Sequence, residues 1–418
     1  MLTSFAVENY RAFTDETTIE LRPLTLLFGY NNAGKSALIR ALALIADSTR
    51  SDIQTPLDLS SEAARDCNFE DLVSKFGGSN TLKFGFTFHD GLRAEYHITE
   101  PPGTYQPVIT RVQIETGGKL ETYAFDLVSP SLYTCLRNGQ PTGELKPYFT
   151  KLTPYHLSTM PGDPRHAGID ESLRALAVEL IMLGIEVQWI GSLRRCPQRF
   201  TRYRGGARSR IGPDGVGVGE LLAHDKLVSG SLLSDVSRWY EEQFNRKVDA
   251  IQLSDARFAL TLNPLTASNN RTVNIADTGE GMAQVLPVLV AAAMARHSHE
   301  QSRPILAIEQ PELHLHPAVH APLAKYLCDV AATKRPRMLV ETHSENFLLG
   351  VQLQIVKREI SPDDVLVYWV KQGEDGSSRV QRITFDNEGY PEGFPDGVFE
   401  EDLDLARLLL ELRERNGT

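Results

Sequence analysis

An α/β fold interrupted by a middle insertion is predicted by three features of this 418-residue sequence. The first is an apolar strand at 24–28, a glycine-rich turn and an alanine/leucine helix over 35–47. The second is a return to the same alternation in the last third. Buried strands at 305–308 and 337–341 alternate there with helices over 281–295, 318–332 and from 344 onward. The third is the stretch between them, about 200 residues of different character, a size that fits an ordinary domain.

The remaining elements follow in chain order. Residues 3–8 alternate like a strand, 9–15 form a turn and 17–21 a second strand. Between 80 and 127, short aromatic and β-branched stretches (LKFGFTF, AEYHIT, VITRVQIE, ETYAFDLV) are split by Gly, Pro and Asp and read as antiparallel strands. Residues 129–155 are polar and proline-rich and read as loop, 170–183 as helix, 187–190 as a short strand, 205–219 as glycine-rich loop and 232–244 as helix. Strands at 364–370 and 379–385 pair, and 402–415 is an amphipathic helix. The expected division is 1–128, 129–265 (mostly helical, with a basic segment), 266–385 and 386–418.

Composition narrows the class. Hydrophobic residues make up 41% and charged residues 23%, ordinary for a globular chain and enough for a large core. The longest apolar run, 285–295, is short of the roughly 20 residues that cross a bilayer. No basic-then-apolar leader opens the chain, so a cytoplasmic protein without a membrane partner is expected. Cys67, Cys135, Cys196 and Cys328 lie far apart without a CxxC, which points to a reducing compartment and no zinc or disulfide framework. The net charge of −11 excludes a whole-surface nucleic-acid binder and leaves only a local patch.

Two motifs carry chemistry. Gly29-Tyr30-Asn31-Asn32-Ala33-Gly34-Lys35-Ser36 matches GxxxxGK[ST] between a strand and a helix that continues with Ala37. Backbone N–H groups of such a loop converge on phosphate oxygens, Lys35 reaches the outer phosphates and Ser36 can ligate Mg²⁺. The bland alternative is a glycine-rich turn. Ile305-Leu306-Ala307-Ile308-Glu309 is an apolar strand ending in an acid, which places Glu309 to hold Mg²⁺; alone it also fits a core strand with an acidic exit residue. His314 and His316, two residues apart near Glu312, lack a third partner at metal-site spacing, so a metal centre is not expected there.

Together these residues resemble the ABC-type ATPase head shared by SMC-like proteins and the OLD ATPases, in particular a bacterial AAA-family branch with a C-terminal domain of unknown function. Four further stretches carry the resemblance. Glu8-Asn9-Tyr10-Arg11-Ala12-Phe13 is similar to an N-terminal element whose basic residue, here Arg11, faces ATP. The Gly279-Glu280-Gly281 stretch resembles a divergent signature motif, with Glu280 where a serine is usual. Residues 309–317 (EQPELHLHP) and Val340-Glu341-Thr342-His343-Ser344 resemble the acidic strand and the switch-histidine element. The resemblance implies a P-loop NTPase head with a mixed central sheet, an antiparallel β lobe and a largely helical middle insertion. It implies ATP and Mg²⁺ as cofactors, with Arg11, Gly29, Asn31, Asn32, Ala33, Gly34, Lys35, Ser36, Ala37, Gly279 and Gly281 at the nucleotide, and Ser36 and Glu309 on the metal. It also implies a head-to-tail homodimer in which Gly281 covers the partner's γ-phosphate and His343 senses its own. Gln310 stands where the family pattern has the glutamate that orients attacking water, so either Glu312 or His316 takes its place or hydrolysis is slow by construction, with Gln310 still able to orient water.

Arg194, Arg195, Arg199, Arg202, Arg204, Arg208 and Arg210 fall within seventeen residues without an acid, interleaved with Phe200 and Tyr203. They fit nucleic-acid contact, or pairing with the acidic surplus of the chain, or contact with the nucleotide or dimer mate. Asp402 and Asp404 form a DxD, but at a helix start, where acids are ordinary. The expected role is a dimeric, nucleotide-gated ATPase switch or scaffold for a separately encoded effector, with antiphage defence as the setting the family suggests. The rivals are a DNA-engaging repair ATPase, a transporter ATPase subunit, which the long insertion disfavours, and a self-contained nuclease.

Overall fold

The computed structural model describes residues 1–394 apart from 51, 118–120, 130–131, 146, 158–166, 207, 255 and 267–270. In chain order, β1 (Leu2–Glu8), β2 (Thr17–Glu20) and β3 (Leu24–Phe28) lead to α1 (Lys35–Arg50) and the short α2 (Phe69–Leu72). Then come β4 (Leu82–Phe88), β5 (Arg93–Thr99), β6 (Val108–Thr116), β7 (Glu121–Ser129), β8 (Leu132–Arg137), β9 (Gln140–Leu145), β10 (Pro147–Thr150) and β11 (Thr153–Leu157). The middle of the chain holds α3 (Ala167–Glu186), β12 (Val187–Ile190), β13 (Thr201–Arg202), α4 (Val218–Val228), α5 (Ser231–Phe244), β14 (Arg246–Ser254), β15 (Arg257–Pro264) and β16 (Val273–Asn274). The last part holds α6 (Glu280–Arg296), β17 (Ile305–Glu309), α7 (His320–Ala331), β18 (Arg337–Glu341), α8 (Glu345–Val356), β19 (Val365–Gln372), β20 (Ser378–Phe385) and β21 (Pro391–Glu392).

The central sheet runs β12-β17-β18-β3-β19-β20-β21. Its first five strands are parallel and its last three pair antiparallel, which makes it mixed. Strands covered on both faces read as continuous apolar runs, and β3 (LTLLF) and β17 (ILAIE) are buried throughout. Successive side chains point to opposite faces, so one strand feeds two cores. Leu27, Ala307 and Leu339 join α1 and the N-terminal lobe, whereas Leu26, Ile308 and Val340 join α6, α7 and α8. At about 1.5–3 kcal/mol for each large apolar side chain buried, these two layers hold the strand ends in fixed register.

The N-terminal lobe is an antiparallel eight-stranded sheet, β2-β1-β4-β5-β6-β7-β8-β9. In β4 every second residue is buried, the pattern of a sheet with one face on a core. The chain passes from β2 into β3, so the same segment that closes the lobe feeds the central sheet. A smaller sheet, β13-β15-β14 with β16 on β15, packs under α5.

Two expectations are corrected. Residues 129–155 are not loop: β8 to β11 lie there, with Tyr133 and Cys135 buried on one face of β8. Of the prolines and glycines that signalled loop, Gly139 lies in the β8–β9 turn, Pro147 opens β10, and Pro141, Gly143 and Pro154 sit within β9 and β11, which are edge strands. The middle segment is also less helical than expected, since α3, α4 and α5 share it with strands β8 to β15. The helix expected at 402–415 and the Asp402/Asp404 pair lie outside the described residues. Among the described residues no helix is long and apolar enough to cross a membrane.

Candidate functional site

The phosphate loop leaves β3 through Gly29, whose φ of +146° and position against the Val370 carbonyl leave no room for a Cβ. Gly34 (φ +97°) sits on the Phe13 ring and the Ser378 hydroxyl, which a Cβ would approach to 3.1 Å. Phe13 belongs to a tight turn closed by Tyr10 and Phe13 and tied to β20 by the Ser378 N–H on the Ala12 carbonyl at 2.6 Å. The N-terminal element thus supports the underside of the loop. Arg11 in that turn donates to the Ala64 carbonyl (3.3 Å) and to Cys67 Sγ (3.4 Å).

Helix α1 starts at Lys35 without an acidic residue in its first turn, so its N-terminal N–H groups and partial positive charge are left for an anion. Lys35 is 3% exposed, and its Nζ donates to the carbonyls of Gly29 (2.8 Å) and Tyr30 (2.6 Å). Burial pushes its pKa down to about 8, against the opposing pull of Glu341 and Glu312. Asn31 and Asn32 stand exposed at the loop tip, Ala33 is buried beneath it, and Ala37 packs on the N-terminal core.

The acids come from neighbouring strands. Glu309 ends β17 and Glu341 ends β18, directly opposite each other in the parallel ladder. Because β18 lies between β17 and β3, Glu341 is the acid next to the loop. Its Oε1 accepts the Ser36 hydroxyl at 2.8 Å. Its Oε2 is buried with no protein partner. Burial pushes the Glu341 carboxyl up, but the nearby His343 ring, the Ser36 hydrogen bond and the Lys35 charge outweigh it and hold it below the usual range. Glu309, 1% exposed, is gripped by Arg40 through Nε (2.9 Å) and Nη2 (2.6 Å) and by Trp189 Nε1 (3.2 Å). Burial pushes Glu309 up, and Arg40 opposes it.

Gln310 turns the chain out of β17 with φ +42°. Its N–H donates to the Glu341 carbonyl (2.9 Å) and its Nε2 lies 3.5 Å from Glu341 Oε1. Its carbonyl accepts Arg194 Nη2 at 2.8 Å. Arg194 is 5% exposed with Nε and Nη1 unpartnered, and burial pushes its pKa down to about 10. Glu312 accepts the Thr342 hydroxyl (2.7 Å) and the His343 N–H (3.0 Å), so it shapes the histidine turn. His343 Nε2 lies 3.7 Å from Glu341 Oε1.

Lys35, Ser36, Gln310, Glu312, Glu341 and His343 therefore meet at the end of β18, with Arg194 against Gln310. Gly279 and Gly281 open α6, and Gly281 abuts the His314 carbonyl so closely that only glycine fits. His314 Nδ1 faces Glu280 at 3.6 Å, while His316 Nδ1 caps the Ala318 N–H at 3.2 Å. Of the residues sequence reasoning did not single out, Glu341 and Arg40 matter most. Glu341 stood inside the quoted VETHS stretch, and Arg40 lies one helical turn beyond Ser36.

Five of the seven arginines have partners within the fold. Arg194 is buried in the site, Arg195 pairs with Asp214 (2.6 Å) and Arg199 with both oxygens of Asp277 (2.9 and 2.6 Å). Arg208 pairs with Glu220, and Arg210 donates to the carbonyls of Gly184 (2.7 Å) and Ile185 (3.2 Å). Arg202 and Arg204 are exposed.

These features fit a nucleotide's phosphates: glycine-only backbone, an acid-free helix start and a buried ammonium. The orphaned Glu341 oxygen beside the Ser36 hydroxyl fits a divalent cation. Among the described residues no group of three or more His, Cys, Asp and Glu could hold a metal alone, so such a cation must complete its shell from phosphate oxygens and water.

The sequence profile of an AAA ATPase domain matches residues 1–90 and 226–348. No curated protein matches the chain. Among solved structures the chain is similar to an SMC head bound to the C-winged helix domain of ScpA, at 12% identity and a TM-score of 0.50, over 92% of this chain and 98% of that one. It is also matched to an SMC head from Pyrococcus furiosus with an extended coiled coil, bound to the C-terminal domain of ScpA (10% identity, TM-score 0.48, 99% of each chain). A third match is the SMC head domain from Thermotoga maritima (10% identity, TM-score 0.39, 91% of this chain and 97% of that one). The first of these carries the likeness, which is one of fold.

Proposed function

The chain belongs to the AAA ATPase domain family, and from that premise we propose that it is a nucleotide-gated switch that binds and slowly hydrolyses ATP. The observation that carries this reading is the buried run Lys35–Ser36–Glu341 beneath a loop that only glycine can form. In this reading residues 1–128 and 266–385 form most of the head, β8, β9 and β12 join its sheets from within 129–265, the rest of that stretch is an insertion, and 386–418 is a docking tail. Lys35 holds the outer phosphates, with the N–H groups of residues 29–37 around them. Mg²⁺, when bound, offsets charge on the transferred phosphoryl group. Gln310 orients water without accepting its proton, which withholds the roughly 10²–10⁴-fold that a general base supplies. Arg194 presents a buried cation beside it, and His343 senses the terminal phosphate. Gly279 and Gly281 face the nucleotide of a second copy, so ATP joins two heads and hydrolysis releases them. Arg11, which the resemblance places at the nucleotide, donates here to the Ala64 carbonyl and Cys67 Sγ. A separately encoded effector reads the closed state, and antiphage defence as the setting rests on family resemblance.

The test is single-turnover hydrolysis of labelled ATP by the purified chain, with Lys35→Ala as blank. Slow cleavage above the blank is expected; equal binding and equal cleavage by both would overturn the reading.

A pH dependence follows from Lys35. Its pKa in the free site is about 8. Phosphate oxygens favour the charged amine, so above that pH binding must take up a proton. Nucleotide affinity is expected to hold below pH 8 and then fall by up to roughly tenfold per unit as pH rises. Calorimetry at pH 9 in buffers of different ionisation enthalpy should register proton uptake, and none would contradict the assignment.

A further inference from the structure

Which carboxylate serves the cation is a separate question that rests on the nucleotide reading. The family pattern points to Glu309, the acid at the end of β17. Here both oxygens of Glu309 are occupied: Arg40 binds one through Nε and the other through Nη2, and Trp189 adds a third bond. A carboxylate held bidentate by a buried guanidinium has its charge matched, and releasing it would strand Arg40 in the core. The pair instead pins α1 to β17.

Glu341 offers the opposite situation. It is one strand nearer to the phosphate loop, and Ser36 already donates to its Oε1 at 2.8 Å. It is 2% exposed, and its Oε2 has no protein partner. Buried polar atoms without partners are rare and call for an explanation, such as an ion. Mg²⁺ binds through one or two carboxylates plus phosphate oxygens and water, and a hydroxyl and one orphaned carboxylate oxygen beside a phosphate loop meet that demand.

We infer that Glu341, not Glu309, is the carboxylate that holds the divalent cation together with Ser36. Gln310 then has a second reason to be an amide: its Nε2 lies 3.5 Å from Glu341 Oε1, where a second carboxylate would be repelled in the metal-free state.

The full chain is titrated with Mn²⁺, read by electron paramagnetic resonance, in the presence of a non-hydrolysable ATP analogue. Analogue binding is measured separately in EDTA. Glu341→Gln is expected to weaken Mn²⁺ binding at least about tenfold, since even residues behind a ligand cost 10–100-fold when changed. Analogue binding in EDTA should persist or tighten in this variant, because one negative charge beside the phosphates is removed, so a loss confined to Mn²⁺ is told apart from loss of the whole site. Glu309→Gln, or Arg40→Met/Glu309→Gln if the single change unfolds the chain, should leave Mn²⁺ affinity near wild type. Retained Mn²⁺ affinity in Glu341→Gln, or equal loss in the Glu309 variants, overturns the inference while the nucleotide reading stands. Failure of wild type to bind the analogue under either condition overturns both.

Discussion

Replacing Lys35 with alanine is expected to weaken ATP binding by roughly 30- to 4,000-fold, the equivalent of the about 2–5 kcal/mol lost when one partner of a buried charge contact is removed. The ammonium is buried, and in the free protein it is held by two loop carbonyls, Gly29 and Tyr30. It is therefore already placed where the loop amides converge, and a ligand gains its charge without ordering a flexible side chain. Alanine is a good helix former at the first position of α1, and the loss of two charge-assisted bonds of about 1.5–3 kcal/mol each is offset by no longer burying the ammonium, so the fold should survive. The expected pattern is a melting temperature close to wild type with ATP affinity lost by titration calorimetry. Undiminished affinity would show that the loop amides alone hold the phosphates.

The second large effect is expected from Gln310→Glu. In the presence of Mg²⁺ and ATP, a carboxylate at this position can accept the proton of attacking water, and the single-turnover rate should rise by roughly 10²–10⁴-fold. Without Mg²⁺ the same change sets two carboxylates where Gln310 Nε2 and Glu341 Oε1 now lie 3.5 Å apart. One of them must then protonate or move. The melting temperature of the metal-free variant should fall below wild type, and Mg²⁺ with nucleotide should restore it. A variant no faster than wild type would mean that a residue other than 310 positions the water, with Glu312 the next to substitute because its carboxylate shapes the histidine turn.

The phosphate loop, the strand before it and the helix after it are legible in the sequence because their signals are local. An apolar pentapeptide, glycines at fixed spacing and an alanine/leucine run each declare themselves within a few residues. The same holds for β17, β18 and the helices that follow them. Strand order is a different matter. That β18 lies between β17 and β3 is a tertiary fact, and it decides whether Glu309 or Glu341 sits beside Ser36. The arginine-rich segment shows the same limit. Its acidic partners, Asp214, Glu220 and Asp277, lie up to 78 residues away, so a stretch that reads as a basic patch is mostly paired within the fold. Residues 129–155 misled for a simpler reason: Pro and Gly inside edge strands look like loop until the partner strands are known.

In the proposed reading Gly279, which meets nothing within 4 Å, and Gly281, which packs on residues 314–315, face the nucleotide of a second copy. A ligand that binds only the joined pair stabilises that pair by mass action, and its hydrolysis removes the stabilisation. The most direct test is the mass of the protein in solution by analytical ultracentrifugation, without nucleotide, with Mg·ADP and with Mg·ATP. A monomer in the first two conditions and a dimer in the third is the expected result, with Lys35→Ala monomeric in all three. The same mass under all three conditions for the wild-type chain would contradict a nucleotide-gated switch.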